Sequence, residues 1–556
     1  MPLNKVGYKP VLLCAHRDGK TEHNGENPTD GKGKSPSSVE QGNISGVFMK
    51  GNHLLAWIEN NKENLIAMNA AAVLAFFFLL NSPIHIWRLA DTDVDSSVFK
   101  TVALMMDKGY MPYKDSFDHK GPLIYVLNYW GLKISYYRGV WLFEMMFMTI
   151  TLFMLYKIAR LRTKISSSLL VTLTAMSTLF SYFGGGNFTE EYAMPFIAIA
   201  EYTFLDYLLN NHISWYRIAI SGISMGAVCM LRPNMIAVWI VFCAAIFFRE
   251  IFEKDWNQLG QFVLWFLIGF SVMIIPFIVW LEANGALQAC IEDYILFNMR
   301  YSSAEGGFAL PSARWNSFFT FASSAVFLIA FIGIAYHLKK NPFVNIAYTL
   351  YIVIGLILLS MSGLIYGHYG MMLVPAVVYP LSLIMEDVEE ITNQEIASIM
   401  KMLITVYMLT TVIIPKSLDT IKNILPYYLN RNREQFDETT AEVCATVSNL
   451  TSENDAISVY GNWDLIYVKT HRTHATQYSY QANISKVMPE IMDKYMEQLE
   501  DELPSVIVVQ QNFKNDNILS FLKSNGYKKV WPENISEEEI GKVKSHYVFY
   551  RSQDER

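Results

Sequence analysis

Residues 259–281 read LGQFVLWFLIGFSVMIIPFIVWL, twenty-three positions without a charged side chain. As an α-helix this run is ~35 Å long, enough to cross the ~30 Å hydrocarbon layer of a bilayer. Outward from it, comparable runs lie at 64–85, 138–158, 166–183, 190–209, 214–231 and 234–250 on the amino-terminal side. Four more follow at 315–337, 342–361, 367–385 and 396–415. The chain therefore predicts an all-α polytopic membrane protein with about eleven transmembrane helices of ~20 residues each. The composition of the 556 residues agrees: 52% are hydrophobic and only 17% charged, against ~25% charged in an ordinary soluble protein. The runs at 190–209 and 214–231 are the most polar, with Glu190, Glu201, Asp206 and Arg217 at or near their ends. A net charge of −7 gives no basic footprint for nucleic acid. Five scattered cysteines form no CxxC pair and no metal spacing, so they are expected to be inert thiols.

The flanks differ from this core. Residues 1–60 form a polar Gly/Lys/Ser/Asn-rich preface, expected to be a disordered tail because it has too little apolar surface to offset the entropy of ordering. It lacks the apolar segment of a signal peptide. Met49 opens a stretch that reads as a protein start, so the residues before it are expected to be a dispensable extension. Residues 61–415 are the membrane portion. Residues 416–556 turn soluble, with strand-length runs at Ala456–Tyr460, Ser505–Val509 and His546–Tyr550. Helix-like stretches at 485–499 and 517–524 alternate with them, the pattern of a small α/β domain.

Orientation follows from the Lys and Arg residues of short connections. Lys157, Arg160, Arg162 and Lys164 follow the second span, and Arg217, Arg249, Lys254, Lys339, Lys340 and Lys401 fall in the later even-to-odd connections. The amino terminus is thus expected in the cytoplasm and, with an odd number of spans, the α/β domain outside. The first external loop, about 86–137, breaks the charge pattern with Lys100, Lys108, Lys114, Lys120 and Lys133 among many acids.

That loop holds the densest chemistry. Asp91, Asp93 and Asp95 open it, followed by an apolar stripe at Phe99, Val102, Ala103 and Met106 that predicts a helix lying on the membrane surface. Pro112 and Gly121-Pro122 punctuate it, and Asp118-His119-Lys120 stands just before a second apolar stretch, 123–132. A cation fixed among carboxylates suits a phosphate, with an acid left for proton transfer. The other external connections add Glu190-Glu191 after a glycine-rich turn, Arg232 in the tight Arg-Pro-Asn break at 232–234, and Gly367-His368-Tyr369-Gly370. Taken singly, each has a structural reading: a helix amino terminus for the glutamates, a snorkelling lysine, a lone structural histidine. Their fall on one side of the membrane is what independent structural roles do not explain.

The run from Asp95-Ser-Ser-Val-Phe through Gly109-Tyr-Met-Pro-Tyr113 to Phe117-Asp-His-Lys-Gly-Pro122-Leu-Ile-Tyr125 resembles the first external loop of GT-C glycosyltransferases. These use polyprenyl-phosphate sugars and include protein O-mannosyltransferases and lipid A aminoarabinose transferases; the similarity is to a bacterial branch that decorates cell-surface polymers. The resemblance covers about 60–415. It implies an acid opening the loop, matched by Asp93 or Asp95, a Lys-Pro-like segment matched by Lys120 with Pro122, and an acid at the fourth span matched by Glu190 or Glu191. Better-known members carry Glu-Lys-Pro where this chain has Asp-His-Lys-Gly-Pro, and often a second acid at the position of Ser96.

The implied activity is an inverting sugar transfer from a polyprenyl-phosphate donor to an extracytoplasmic acceptor: a glycan, a teichoic-acid-like polymer, a lipid or a protein. Asp95 or Asp93 is the expected base, and Lys120, Arg232 and His119 the expected donor-phosphate ligands. Asp91, Asp118, Glu190, Glu191, His368 and Tyr369 are expected at the substrate or at a divalent cation, Mg or Mn, although the glutamates can equally orient Lys120. No GxxxxGK[ST] phosphate loop occurs, in keeping with a lipid-linked donor on a face where nucleotide sugars are not supplied. The expected location is the plasma membrane of a bacterium. Two rival classes are a polyprenol-linked-glycan polymerase or ligase, which concentrates its chemistry in one late loop, and a secondary transporter, which places ionisable residues at mid-membrane in paired repeats.

Overall fold

The computed structural model describes residues 59–85, 94–211, 214–303, 311–429, 438–486, 488–510, 516–536, 539–540 and 545–552. The chain divides into two compact units, Met1–Lys62 and Glu63–Arg556. Almost all of the first, and with it the expected polar tail, lies outside the described residues. The second unit contains both the helical portion and the carboxyl-terminal sheet.

Among the described residues six helices are long and apolar enough to cross a membrane: Lys62–Leu79, Gly139–Ala159, Ile165–Tyr182, Trp256–Ala283, Pro342–Ser362 and Gln394–Lys422. Two bent pairs, Pro311–Ala322 with Ala325–His337 (75°) and Gly367–Leu373 with Pro375–Glu390 (54°), raise the count to eight. Every expected run coincides with a helix. The difference from about eleven spans comes from three of them: Thr189–Asn210, with four acidic residues, and Trp215–Cys229 and Ala237–Glu253, of 15 and 17 residues. Thr189–Asn210 is the buried axis of the bundle, so its acids meet protein rather than lipid; Glu201 accepts a hydrogen bond from Tyr348 Oη at 2.6 Å.

The bundle has two chemically distinct ends. At one, the basic connections meet acids: Arg160 pairs with Glu63 at 2.7 Å, Arg162 with Glu386 at 2.7 Å, Lys340 with Asp387 at 3.1 Å and Lys401 with Glu389 at 3.5 Å. At the other lie the first loop, with helices Val94–Asp107 and Pro122–Ile134, and the α/β domain; the first of these helices, expected on the membrane surface, is instead buried in protein from Ser96 to Met105.

That domain is a five-stranded sheet in the order β2-β1-β3-β5-β4, with β1 Ala456–Tyr460, β2 Thr473–His474, β3 Val506–Val509, β4 Lys528–Trp531 and β5 Tyr547–Tyr550. β1 pairs in parallel with β2 and β3, whereas β5 runs antiparallel to β3 and β4. Side chains alternate across a strand. Ile457, Val459, Val506, Val508 and Val548 pack on one face with Val443, Val447 and Ile466. Ile507, Val509, Tyr547 and Phe549 face Ile491, Tyr495, Leu499 and Phe521 on the other. Burial on both faces explains why the central strands are continuous apolar runs.

The sheet domain sits on the first loop through named bonds. Phe117 N–H donates to the Gln477 carbonyl at 2.8 Å, and Gln477 Nε2 donates to the Tyr113 carbonyl at 2.8 Å. Ser116 Oγ and His474 Nε2 are 2.9 Å apart, Tyr136 Oη donates to the Val468 carbonyl at 2.5 Å, and the Tyr136 and His471 rings stack at 4.1 Å.

Candidate active site

The loop begins with a helix whose first turn carries Asp95 and ends at Gly121-Pro122, where Pro122 opens the next helix with its φ preset and no N–H to leave unpaired. Between them the chain folds back sharply, with Tyr113 at φ 68°. That residue is fully buried, and its hydroxyl donates to the Lys120 carbonyl at 2.7 Å.

Gly121 explains how the loop finds the rest of the site. Its N–H donates to the Leu231 carbonyl at 3.1 Å, and Leu123 N–H donates to the Met230 carbonyl at 3.0 Å. A side chain at 121 would overlap the Met230 carbonyl, so only glycine allows the two backbones to lie this close. The contact sets Lys120 and Arg232 in a fixed relation.

Asp118 is buried and accepts from Tyr125 Oη at 2.8 Å, Tyr480 Oη at 2.7 Å and the His119 N–H at 2.7 Å. Burial pushes its carboxyl upward, opposed by the Lys120 charge and the two tyrosine bonds. The His119 ring lies 3.2 Å through Nδ1 from Tyr480 Oη and 3.1 Å through Nε2 from Lys120 Nζ. Burial holds its pKa well below the usual value, and the Lys120 and Arg232 charges add to the effect. The imidazole is therefore neutral at pH 7. Its carbonyl is tied by Asn298 Nδ2 at 2.6 Å.

Across from the loop, Arg232 is ion-paired with Glu190, and its guanidinium lies 4.3 Å from the Tyr369 ring centroid. Thr189 Oγ1 donates to the other Glu190 oxygen at 2.9 Å. The His368 ring stacks on Phe188 at 4.3 Å and meets Tyr369 edge-on at 4.9 Å. His368 lies within electrostatic reach of Asp95, Glu190, Arg232 and Lys120.

Of the residues singled out from sequence, Asp95, Asp118, His119, Lys120, Glu190, Arg232, His368 and Tyr369 are thus brought together. Asp91 and Asp93 lie outside the described residues. Glu191 is placed elsewhere: it accepts from the Asn187 N–H at 2.9 Å and faces the buried Glu144. Successive helical residues point in different directions, so the adjacent glutamates divide between two surroundings. Among the described residues no group of three or more His, Cys, Asp or Glu gathers as metal ligands would. Among the described residues Glu190 is paired with Arg232, and Asp118 accepts from hydrogen-bond donors.

The tyrosines are what sequence reasoning missed. Tyr125 and Tyr113 stand within the loop motif, and their roles follow once Asp118 is buried. Tyr480 comes from the α/β domain, where aromatics are expected in the core. The signal was present only as Tyr478-Ser-Tyr480 in a loop between strands; Tyr478 packs on Phe117 at 5.3 Å while Tyr480 reaches the site.

A helical bundle with two helices in its first loop, a charged cluster at one end and a small α/β domain over it define a multi-pass membrane protein with a GT-C-like fold. The solved structures bear this out for the fold. ArnT from Cupriavidus metallidurans bound to undecaprenyl phosphate matches with a TM-score of 0.57 at 12% identity, over 88% of this chain and 98% of that one. ArnT in the apo state matches with 0.56 at 11% identity, over the same shares. Residues 62–401 match the family model of the competence-induced protein Ccs4 N-terminal domain, and the chain belongs to that family. No curated protein matches it.

Proposed function

We propose that the protein is an integral-membrane glycosyltransferase that moves a sugar from a polyprenyl-phosphate donor to an acceptor hydroxyl outside the cytoplasm of a bacterium. The observation that carries this is the backbone contact of Gly121 and Leu123 with Leu231 and Met230, which brings the Lys120 and Arg232 cations to one end of the bundle, with Asp95 within electrostatic range of His368. The fold supports it, since a structure of the same fold is recorded with undecaprenyl phosphate. In this reading residues 61–415 form the transferase portion and 416–556 an extracytoplasmic domain, with the amino terminus in the cytoplasm. The basic connections at the opposite end agree with that orientation.

Asp95, or Asp93, accepts the proton of the acceptor hydroxyl as its oxygen attacks the anomeric carbon. The bond from that carbon to the lipid phosphate oxygen breaks, and the configuration inverts. The departing phosphate gains negative charge, which the Lys120 ammonium and Arg232 guanidinium stabilise more than they do the intact donor. His119 has both ring nitrogens engaged, so it acts by holding Lys120. Glu190 and Tyr369 hold Arg232. A candidate site at one end of the bundle does not suit the mid-membrane site of a secondary transporter.

The test uses the full chain in detergent with a panel of radiolabelled polyprenyl-phosphate sugars and a membrane extract as acceptor. Release of polyprenyl phosphate by the wild type, lost in Asp95→Asn and Lys120→Ala, is the expected result. Folded protein that releases none from any donor, but transports a labelled solute, would overturn the reading.

A further inference from the structure

We propose that Tyr480 is a positioning residue of this site: acting through the His119 ring, it fixes the direction in which Lys120 presents its ammonium to the donor phosphate. The α/β domain is then part of phosphate recognition. The inference rests on the assignment of Lys120 to that phosphate.

The direction of each hydrogen bond follows from what the groups can do. A protonated lysine donates and never accepts. With Lys120 Nζ 3.1 Å from His119 Nε2, that nitrogen must accept and so carries no hydrogen. A neutral imidazole with a bare Nε2 has its hydrogen on Nδ1, which donates to Tyr480 Oη at 3.2 Å. The tyrosine hydroxyl, having accepted, donates to Asp118 Oδ1 at 2.7 Å. The carboxylate accepts only, so the series ends there. Each link has one orientation, and they agree: Lys120 to His119, His119 to Tyr480, Tyr480 to Asp118. Tyr125 donating to the second Asp118 oxygen at 2.8 Å anchors the far end.

Among the described residues the ammonium donates one hydrogen bond, to His119 Nε2, so its remaining donors take directions set by the ring. Removing the Tyr480 hydroxyl takes away the nearest acceptor of Nδ1–H. Asp118 Oδ1, 3.4 Å from Nδ1, then offers only a longer contact, so the ring is held less firmly and the lysine loses its fixed direction. The imidazole is also released to take the other tautomer, which repels the lysine N–H.

Two measurements test this on the full chain. In the first, binding of undecaprenyl phosphate without sugar is followed by thermal stabilisation. Tyr480→Phe should weaken it ~5–10-fold, the worth of one oriented hydrogen bond, and Lys120→Ala more strongly. Tyr136→Phe removes a different bond between domain and loop, to the Val468 carbonyl, and should leave binding unchanged. Equal binding by Tyr480→Phe and wild type, or equal weakening by Tyr136→Phe, would overturn the proposal in favour of simple docking. The second needs no ligand: the ¹⁵N shifts of the His119 ring, assigned with His119→Gln, should show a protonated Nδ1 and a bare Nε2 that change in Tyr480→Phe. A protonated Nε2 in the wild type overturns the relay whatever the binding result. The expected tautomer in a protein that binds no undecaprenyl phosphate overturns the phosphate assignment instead, and with it the functional reading.

Discussion

The guanidinium carbon of Arg232 lies over Tyr369, 4.3 Å from the ring centroid, while the same group is ion-paired with the buried Glu190. One planar cation thus serves a π face and a carboxylate together. Arg232→Lys keeps the charge and loses the planar fit. The expected outcome is a fold that melts close to wild type and an apparent KM for donor raised ~10-fold, within the range of a desolvated cation–π contact. Arg232→Ala leaves Glu190 buried without its cation and should cost ~3–5 kcal/mol of stability. Thermal unfolding and donor titration separate the two effects; identical behaviour of the variants would show that the ring and the fork contribute nothing.

Asp95 stands in the first turn of a loop helix and faces His368, Tyr366 and Tyr480 electrostatically. If it takes the acceptor proton, Asp95→Asn should lower turnover by ~10²–10⁴. Binding of polyprenyl phosphate should persist, because the cations are untouched. Near-normal turnover in this variant would move the base to Asp93, and near-normal turnover in Asp93→Asn as well would remove the assignment from the loop acids.

How far this site was legible in the sequence can be judged residue by residue. Asp95, Lys120, Glu190, Arg232 and His368 were recognisable because each is a charged or titratable group at a membrane edge, where an unsupported charge is costly. Their expected fall on one side of the membrane marks them as one candidate site. The strands of the α/β domain were legible as short apolar runs, except β2 and β4: β2 is two residues long, and β4 reads Lys-Lys-Val-Trp. Tyr480 was not legible. It bonds a residue 362 positions away, and no local pattern marks which tyrosine of a domain will face a loop rather than a core. The separation of Glu190 from Glu191 was likewise hidden, since it depends on helix phase relative to Arg232 and Glu144.

The close approach of Gly121 to the Met230 carbonyl yields a prediction about registration. Gly121→Ala forces the two backbones apart, breaking the bonds to the Leu231 and Met230 carbonyls. Two buried backbone bonds at ~1 kcal/mol each set a destabilisation of ~2 kcal/mol. The larger effect should fall on turnover, because Lys120 and Arg232 would no longer share one phosphate; a ~1 Å misplacement can cost ~10²-fold. A variant with lowered melting temperature and unaltered turnover would show that the contact is structural only.

Two buried titratable groups where the α/β domain meets the loop should give stability opposite dependences on pH. His474 donates through Nδ1 to the Thr476 carbonyl at 2.5 Å and lies 2.9 Å through Nε2 from Ser116 Oγ. Burial pushes its pKa down to about 4, against ~6.5 when unfolded. Between those values the unfolded chain holds the extra proton, so this group's contribution rises with pH and is complete above ~6.5. Its size is about 3 kcal/mol. Asp464 is pushed up to about 7 by burial, with the Asp118 charge adding. Here the folded chain holds the proton, so stability is greatest below ~3.9 and falls by about 4 kcal/mol as pH rises to about 7. Within the shared window the two slopes oppose each other. His474→Gln should therefore make stability fall more steeply with rising pH from 4 to 6.5. Asp464→Asn should tilt it the other way and raise the melting temperature at pH 8. Thermal unfolding of the three proteins in detergent across pH 4–8 reads both. Curves parallel to the wild type would mean that neither group is held in the folded state as its burial requires.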